Sequence, residues 1–228
     1  LCGFTRKWQD YCRYCFWLKS VDVGQPKLNK GKMKKILAIL FVLTCTSLIA
    51  QYAIGDKVNN FTLVNAADNN PVSLQNFSGA KVVVLVFTSH NCPYSKIYEE
   101  RIKKYMTEYE SKSVKFILIN PNNPDAHPED GLSEMAAAYK SKNFGVPYLS
   151  DPKQEVANAY GATKTPEVMV LKSTGGVFTL KYRGAIDDNP QVGTDVTVHY
   201  LKEALEATLT GGVLKYSEKR ATGCMIYR

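Results

Sequence analysis

Apolar positions along the chain follow two periods. Val82-Val83-Val84-Leu85-Val86-Phe87 and Val114 to Ile119 are continuous apolar runs of strand length, as expected of strands covered on both faces. Between them Tyr94, Ile97, Tyr98, Ile102, Tyr105, Met106 and Tyr109 recur at helical spacing, which predicts a helix from Pro93 to about Tyr109. Strand, helix and strand in that order imply a right-handed parallel crossover. Upstream, short apolar segments around 61–64 and 72–74 are split by Asp68-Asn69-Asn70-Pro71, which reads as an N-terminal hairpin. Downstream, a Pro-, Asn- and Asp-rich loop from Asn120 to Gly131 precedes a helix at about 133–143 and a short helix near Gln154–Tyr160. The strand Glu167–Lys172, a turn at Ser173-Thr174-Gly175-Gly176, the return strand Val177–Arg183 and a closing helix at 196–209 complete the pattern. The expected class is α/β, a mixed central sheet with helices on both faces.

Composition changes this picture only at the front. The formal charge of +8 over 228 residues invites a nucleic-acid or membrane-surface partner. Residues 1–51, however, hold nine of the 29 Lys and Arg and two of the 21 Asp and Glu, which leaves 20 against 19. The remainder carries no nucleic-acid footprint. Met33-Lys34-Lys35 opens an apolar run from Ile36 to Ala50 that ends in small residues. It is too short to span a bilayer, so residues 33–51 read as a signal peptide and the protein as periplasmic or extracellular. Residues 1–32 show neither period and are expected to be translated upstream sequence. Residues 52–212 then form one domain, and 213–228 a tail.

The six cysteines divide along the same line. Cys2, Cys12 and Cys15 fall in the leader, so the Cys12-Arg13-Tyr14-Cys15 spacing reads as a decoy. Cys45 lies in the h-region, where it is a lipid-anchor site only if processing occurs just before it, and Thr44 is a poor residue for that cut. Cys92 and Cys224 remain, and export lets them pair as a disulfide.

Cys92 follows a buried-reading strand and a polar loop, and Pro93 fits the first position of the helix. A sulfur there sees unpaired N–H groups and the positive end of the helix dipole, which favour thiolate. The competing reading is a small buried hydrophobe. His90 is a candidate thiolate neighbour or a plainly exposed loop residue, and Asp187-Asp188-Asn189 reads as a polar turn, a solvated loop that could edge the site. No nucleotide, flavin or metal motif is evident, so no cofactor is expected.

Taken together, Gly55-Asp56 through Phe61-Thr62-Leu63, the strand entering Cys92-Pro93, Tyr148-Leu149-Ser150-Asp151-Pro152 through Ala159-Tyr160-Gly161, Thr165-Pro166 and Tyr182-Arg183-Gly184 resemble the thioredoxin-like superfamily. They are most similar to its peroxiredoxin-like redoxin branch, the alkyl hydroperoxide reductase and thiol-specific antioxidant type. The resemblance implies a thioredoxin-like fold, a cis Pro166 facing Cys92, and a Thr165 backbone offered to an extended thiol or peptide. It departs in three places. Cys92-Pro93-Tyr94-Ser95 has no second thiol, so Ser95 can at most donate a hydrogen bond to the sulfur. Ser89 fills the peroxiredoxin hydroxyl position, but Leu85 stands where that motif has proline. Pro166 occupies the place of the peroxide-assisting arginine.

These readings converge on an exported thiol-dependent oxidoreductase. Cys92 attacks a protein disulfide or a peroxide, and Cys224 resolves the mixed disulfide or sulfenic acid from a mobile tail. Ser89, Ser95, Thr165 and Pro166 support it, and a thiol protein supplies electrons. The alternatives are a monothiol glutaredoxin-like protein and, from a different class, a copper carrier of the same fold using Cys92 with His90, His127 or His199.

Overall fold

The computed structural model describes residues 51–227. The leader, the signal segment and Cys2, Cys12, Cys15 and Cys45 lie outside the described residues. Eleven strands follow in chain order: β1 Lys57–Val58, β2 Thr62–Asn65, β3 Pro71–Ser73, β4 Val82–Phe87, β5 Val114–Asn120, β6 Tyr148–Ser150, β7 Lys164–Thr165, β8 Glu167–Thr174, β9 Val177–Gly184, β10 Glu218–Lys219 and β11 Cys224–Met225. The helices are α1 Pro93–Glu110, α2 Leu132–Lys142, α3 Glu155–Tyr160 and α4 Tyr200–Thr210.

The main sheet runs β1-β9-β8-β4-β5-β6-β2-β3, and β10 joins the far end of β9. The crossover read from the sequence is present: β4 and β5 pair in parallel with α1 between them. Every residue of β4 is buried because β5 and β8 flank it and helices cover both faces. Its alternate side chains therefore enter two cores. Val82, Val84 and Val86 share one with Tyr98, Ile102, Tyr105 and Tyr109 of α1 and Leu201 and Leu205 of α4. Val83, Leu85 and Phe87 share the other with Val156 and Tyr160 of α3. The β8–β9 hairpin turns on Gly175 and Gly176, both at positive φ, the pair that a tight twisted hairpin requires. The β2–β3 hairpin is likewise antiparallel.

Two expectations need correction. Asp187 is not solvated: it is 4 % exposed, accepts from Tyr98 Oη at 2.7 Å and pairs with Arg101 at 2.9 Å. It braces α1. The closing helix begins at Tyr200 rather than 196, because Asp188 accepts the N–H groups of Thr197 and Val198, each at 3.0 Å, and holds that stretch extended. Strand β6 has no counterpart in the sequence reading, since three residues after Pro147 carry no period of their own.

Arg183 of the Tyr-Arg-Gly motif proves to be structural. Its guanidinium donates to the carbonyls of Tyr52 and Tyr160 at 3.3 and 3.2 Å and pairs with Glu218 of β10. It thereby ties the entry of the domain and the end of α3 to the C-terminal segment. Gly184 follows at φ +131°, and a Cβ there would collide with the Lys219 carbonyl, so glycine lets β10 lie against β9.

Asp151 gives a pH test of the fold. It is 1 % exposed, accepts from Ala157 N–H at 2.8 Å, and burial pushes its carboxyl from 3.8 to about 6. The folded state thus binds its proton more tightly than the unfolded state. Between these two values the Asp151 contribution to stability falls as pH rises, and above about 6 it is constant. Urea titrations of the parent and of Asp151→Asn should show parent-minus-variant stability declining over that interval and then levelling. A difference that is flat with pH contradicts this assignment.

Candidate active site

Strand β4 delivers the chain into the loop Thr88–Asn91, and Cys92 is the N-cap of α1 with Pro93 in its first turn. Cys92 N–H donates back to Ser89 O at 3.2 Å, and Cys92 O accepts from Lys96 N–H at 3.0 Å. The sulfur therefore sits at a helix start fixed on both sides, where the N–H groups of the first turn have no helical acceptors. At 5 % exposure it is nearly covered.

The cover is the C-terminal segment. Expected as a mobile tail, it is docked instead: β11 pairs antiparallel with β7, Cys224 opposite Thr165 and Met225 opposite Lys164. Ile226 donates to Thr163 O at 3.2 Å and is itself 5 % exposed in the second core. The Tyr227 ring stacks on His127 with centroids 3.7 Å apart, its N–H donates to Asn122 Oδ1 at 3.2 Å, and its carbonyl accepts from Gln154. Cys224 is thereby held 6.0 Å from Cys92 by Cα and joined to it as a disulfide across 132 residues.

Opposite the bond stands the Thr165–Pro166 peptide, which is cis. The Thr165 carbonyl lies 3.1 Å from Cys92 Sγ. Glu167 braces this loop from below by accepting the N–H groups of Thr163 and Lys164 at 2.8 and 3.1 Å, and burial raises its pKa. A pocket of about 130 Å³ opens beside the disulfide, lined by Ser89, Asn91, Asn122, Glu129 and Tyr227 among others. Among the described residues no lysine or arginine lines it.

Ser89 is 1 % exposed and its hydroxyl donates to Asp130 Oδ1 at 2.7 Å. Ser95 is buried too, but its Oγ has no hydrogen-bond partner among the described residues and lines a separate small cavity with His90 and Tyr148. Thr165 Oγ1 is likewise buried and unpartnered. His90 is not an exposed loop residue: one ring nitrogen lies 3.2 Å from Tyr148 Oη and the other 3.0 Å from Glu129 O. Burial lowers its pKa against the opposing pull of Asp130, which favours the neutral ring while the disulfide is closed. Among the described residues no three His, Cys, Asp or Glu side chains are placed to hold a metal ion.

The sequence reading gave Asp130 no role. It is 2 % exposed and accepts three side-chain donors, Ser89 Oγ, Asn120 Nδ2 and Asn122 Nδ2, at 2.7 to 2.9 Å. The available signal was the density of Asn and Asp in the loop 120–131, which reads equally well as solvated.

A family model described as AhpC/TSA matches residues 54–187, a range that holds Cys92 and Pro166 and stops short of Cys224. Two Mycobacterium tuberculosis proteins named as candidate peroxiredoxins are 28% identical over 108 residues, 47% of this chain and 63% of theirs. The match thus spans less than two thirds of those curated relatives. A hypothetical protein from Sinorhizobium meliloti is 31% identical with a TM-score of 0.69, covering 78% of this chain and 95% of that one. A conserved protein from Geobacillus kaustophilus is also 31% identical, with a TM-score of 0.71 and 78% and 93% covered. A candidate thiol:disulfide interchange protein DsbE from Chlorobium tepidum, 18% identical with a TM-score of 0.52 over 70% of this chain and 99% of that one, shares the thioredoxin-like fold. Among the described residues no helix is long and apolar enough to cross a membrane.

Gly223 tests how the cysteines are brought together. A Cβ there would run into the Thr165 carbonyl and lie 3.2 Å from Pro166 N. Gly223→Ala should push β11 off β7 and lower the stability of the oxidised protein by about 1–3 kcal/mol. Urea midpoints should show a smaller loss in the reduced protein. Equal losses in both forms would mean that the contact is not tied to the disulfide.

Proposed function

The chain belongs to the AhpC/TSA family, and from that premise we propose that it is an exported thiol–disulfide oxidoreductase with Cys92 as nucleophile and Cys224 as resolving thiol. The observation that carries this reading is the Cys92–Cys224 disulfide formed at a helix N-cap beside the Thr165–Pro166 turn. In the reduced state the Cys92 thiolate attacks a substrate disulfide, bonds to one substrate sulfur and releases the other as thiolate, which takes up a proton. The Cys224 thiolate then attacks Cys92 Sγ, expels the second substrate thiol and leaves the intramolecular disulfide. Two thiols of a reductant protein reverse the change by the same exchange, each step conserving one disulfide.

Disulfide exchange is favoured over peroxide reduction by the lining of the pocket. Among the described residues it holds no cationic side chain to polarise an O–O bond, and the Ser89 proton is committed to Asp130. A peroxidase reading has its own support, the family and the two peroxiredoxin-named relatives. In that case the Cys92 thiolate takes one peroxide oxygen as sulfenic acid while the other leaves, protonated, as water or alcohol, and Cys224 then displaces a second water to give the same disulfide. Export is supported by the leader pattern of residues 33–51.

Rates with a protein disulfide and with hydrogen peroxide, measured side by side on the reduced protein, separate the two chemistries. The disulfide is expected to react faster, and the reverse order would favour the peroxidase. Cys224→Ser should accumulate a mixed disulfide on Cys92, visible by intact mass, and Cys92→Ser should do nothing. If Cys224→Ser turns over at the parent rate, Cys224 is not the resolving thiol.

A further inference from the structure

Asp130 stands at the meeting point of two hydrogen-bond paths, and each path leads to one of the two sulfurs. The first runs through Ser89. Its hydroxyl proton goes to Asp130 Oδ1, so its lone pair is left to accept Asn91 N–H at 3.1 Å. Asn91 directly precedes Cys92. The second runs through Asn122, whose Nδ2 donates to Asp130 Oδ2 at 2.8 Å. An amide has one donor end and one acceptor end. With its NH₂ committed to the carboxylate, Asn122 must turn Oδ1 outward, and that oxygen receives Tyr227 N–H. Tyr227 lies two residues beyond the strand that carries Cys224.

A carboxylate this deeply buried is costly unless its lone pairs are filled, and here they are filled by the groups it must orient. We propose that Asp130 is the positioning residue of the redox pair, the group that sets the Cys92 loop and the Cys224 strand in one geometry. This rests on the reading of Cys92 and Cys224 as that pair. Asp130 touches neither sulfur. It acts through the direction in which Ser89 and Asn122 present their donors and acceptors.

The direction of each bond supplies the test. In Asp130→Asn the second carboxylate oxygen becomes an NH₂ that faces the NH₂ of Asn122. Asn122 must then turn its oxygen inward and present donors to Tyr227 N–H, so the clamp on the tail is lost. In Asn122→Asp two carboxylates face each other and the inner bond fails. Combining the two substitutions restores the pattern in reverse. The amide now at position 130 donates to the carboxylate now at position 122, and that carboxylate keeps its other oxygen for Tyr227 N–H.

The parent, both single variants and the double variant would be equilibrated with mixtures of reduced and oxidised glutathione, and the intramolecular disulfide quantified after acid quench. The exchange is balanced, with two protein thiols and one glutathione disulfide giving the protein disulfide and two glutathione thiols. Each single variant should lower the effective concentration of the pair about tenfold, the scale of one buried hydrogen bond. The double variant should recover to within about threefold of the parent, whereas two side chains acting independently would add their losses. An unchanged Asp130→Asn equilibrium, or summed losses in the double variant, would overturn the proposal. A parent that forms no disulfide at any glutathione ratio would instead defeat the reading of the pair. If Asp130→Asn does not fold, Asn122→Ala removes the Tyr227 clamp while leaving the carboxylate. It too should show the tenfold drop, and an unchanged equilibrium would overturn the proposal equally.

Discussion

The pairing of β11 with β7 at two positions, Cys224 with Thr165 and Met225 with Lys164, is the contact on which the site depends. It brings together sulfurs 132 residues apart in sequence. Closing a loop of that length costs about 4–5 kcal/mol of chain entropy in the unfolded state. Contacts other than the disulfide also hold the C-terminal segment against the domain: β10 pairs with β9, Ile226 is buried in the core, and Arg183 holds Glu218.

Around that contact, buried charge is used to orient groups rather than to hold the molecule together. Asp130, Asp187 and Glu167 are each nearly inaccessible; Asp130 and Asp187 take donors from elements distant in the chain, and Glu167 takes them from its own loop. Buried ionic groups contribute little net stability compared with apolar replacements. What they impose is direction. Asp187 fixes the side of α1 through Tyr98 and Arg101, Glu167 fixes the turn before Pro166, and Asp130 fixes the loop before Cys92. The apolar cores on the two faces of β4 supply the cohesion.

How much of this could be read from the chain follows from the range of each interaction. Elements whose periodicity is long enough to repeat were legible: the two parallel strands, α1, and the β8–β9 hairpin with its glycine turn. The N-cap position of Cys92 was legible because Pro93 marks a helix start within one residue. The docked tail was not, since a strand of two residues has no period and Gly223-Cys224-Met225 reads as a loose end. Asp130 and Asp187 were missed for a related reason. Acidic residues in Asn- and Pro-rich loops look solvated until the partners that bury them, Ser89 and Asn122 in one case and Tyr98 and Arg101 in the other, are in place.

The two sulfurs are held with unequal firmness. Cys92 lies between a strand paired on both edges and an 18-residue helix that buries Tyr98, Ile102, Tyr105 and Tyr109 and is tied down at Asp187. Moving it means disturbing the main core. Cys224 lies on a two-residue strand whose supports are one buried isoleucine, a ring stack and a few hydrogen bonds at the chain end. Local opening begins where few apolar contacts oppose it. The Cys92 side is therefore built into the main core, while the Cys224 side rests on a short segment with few apolar contacts of its own.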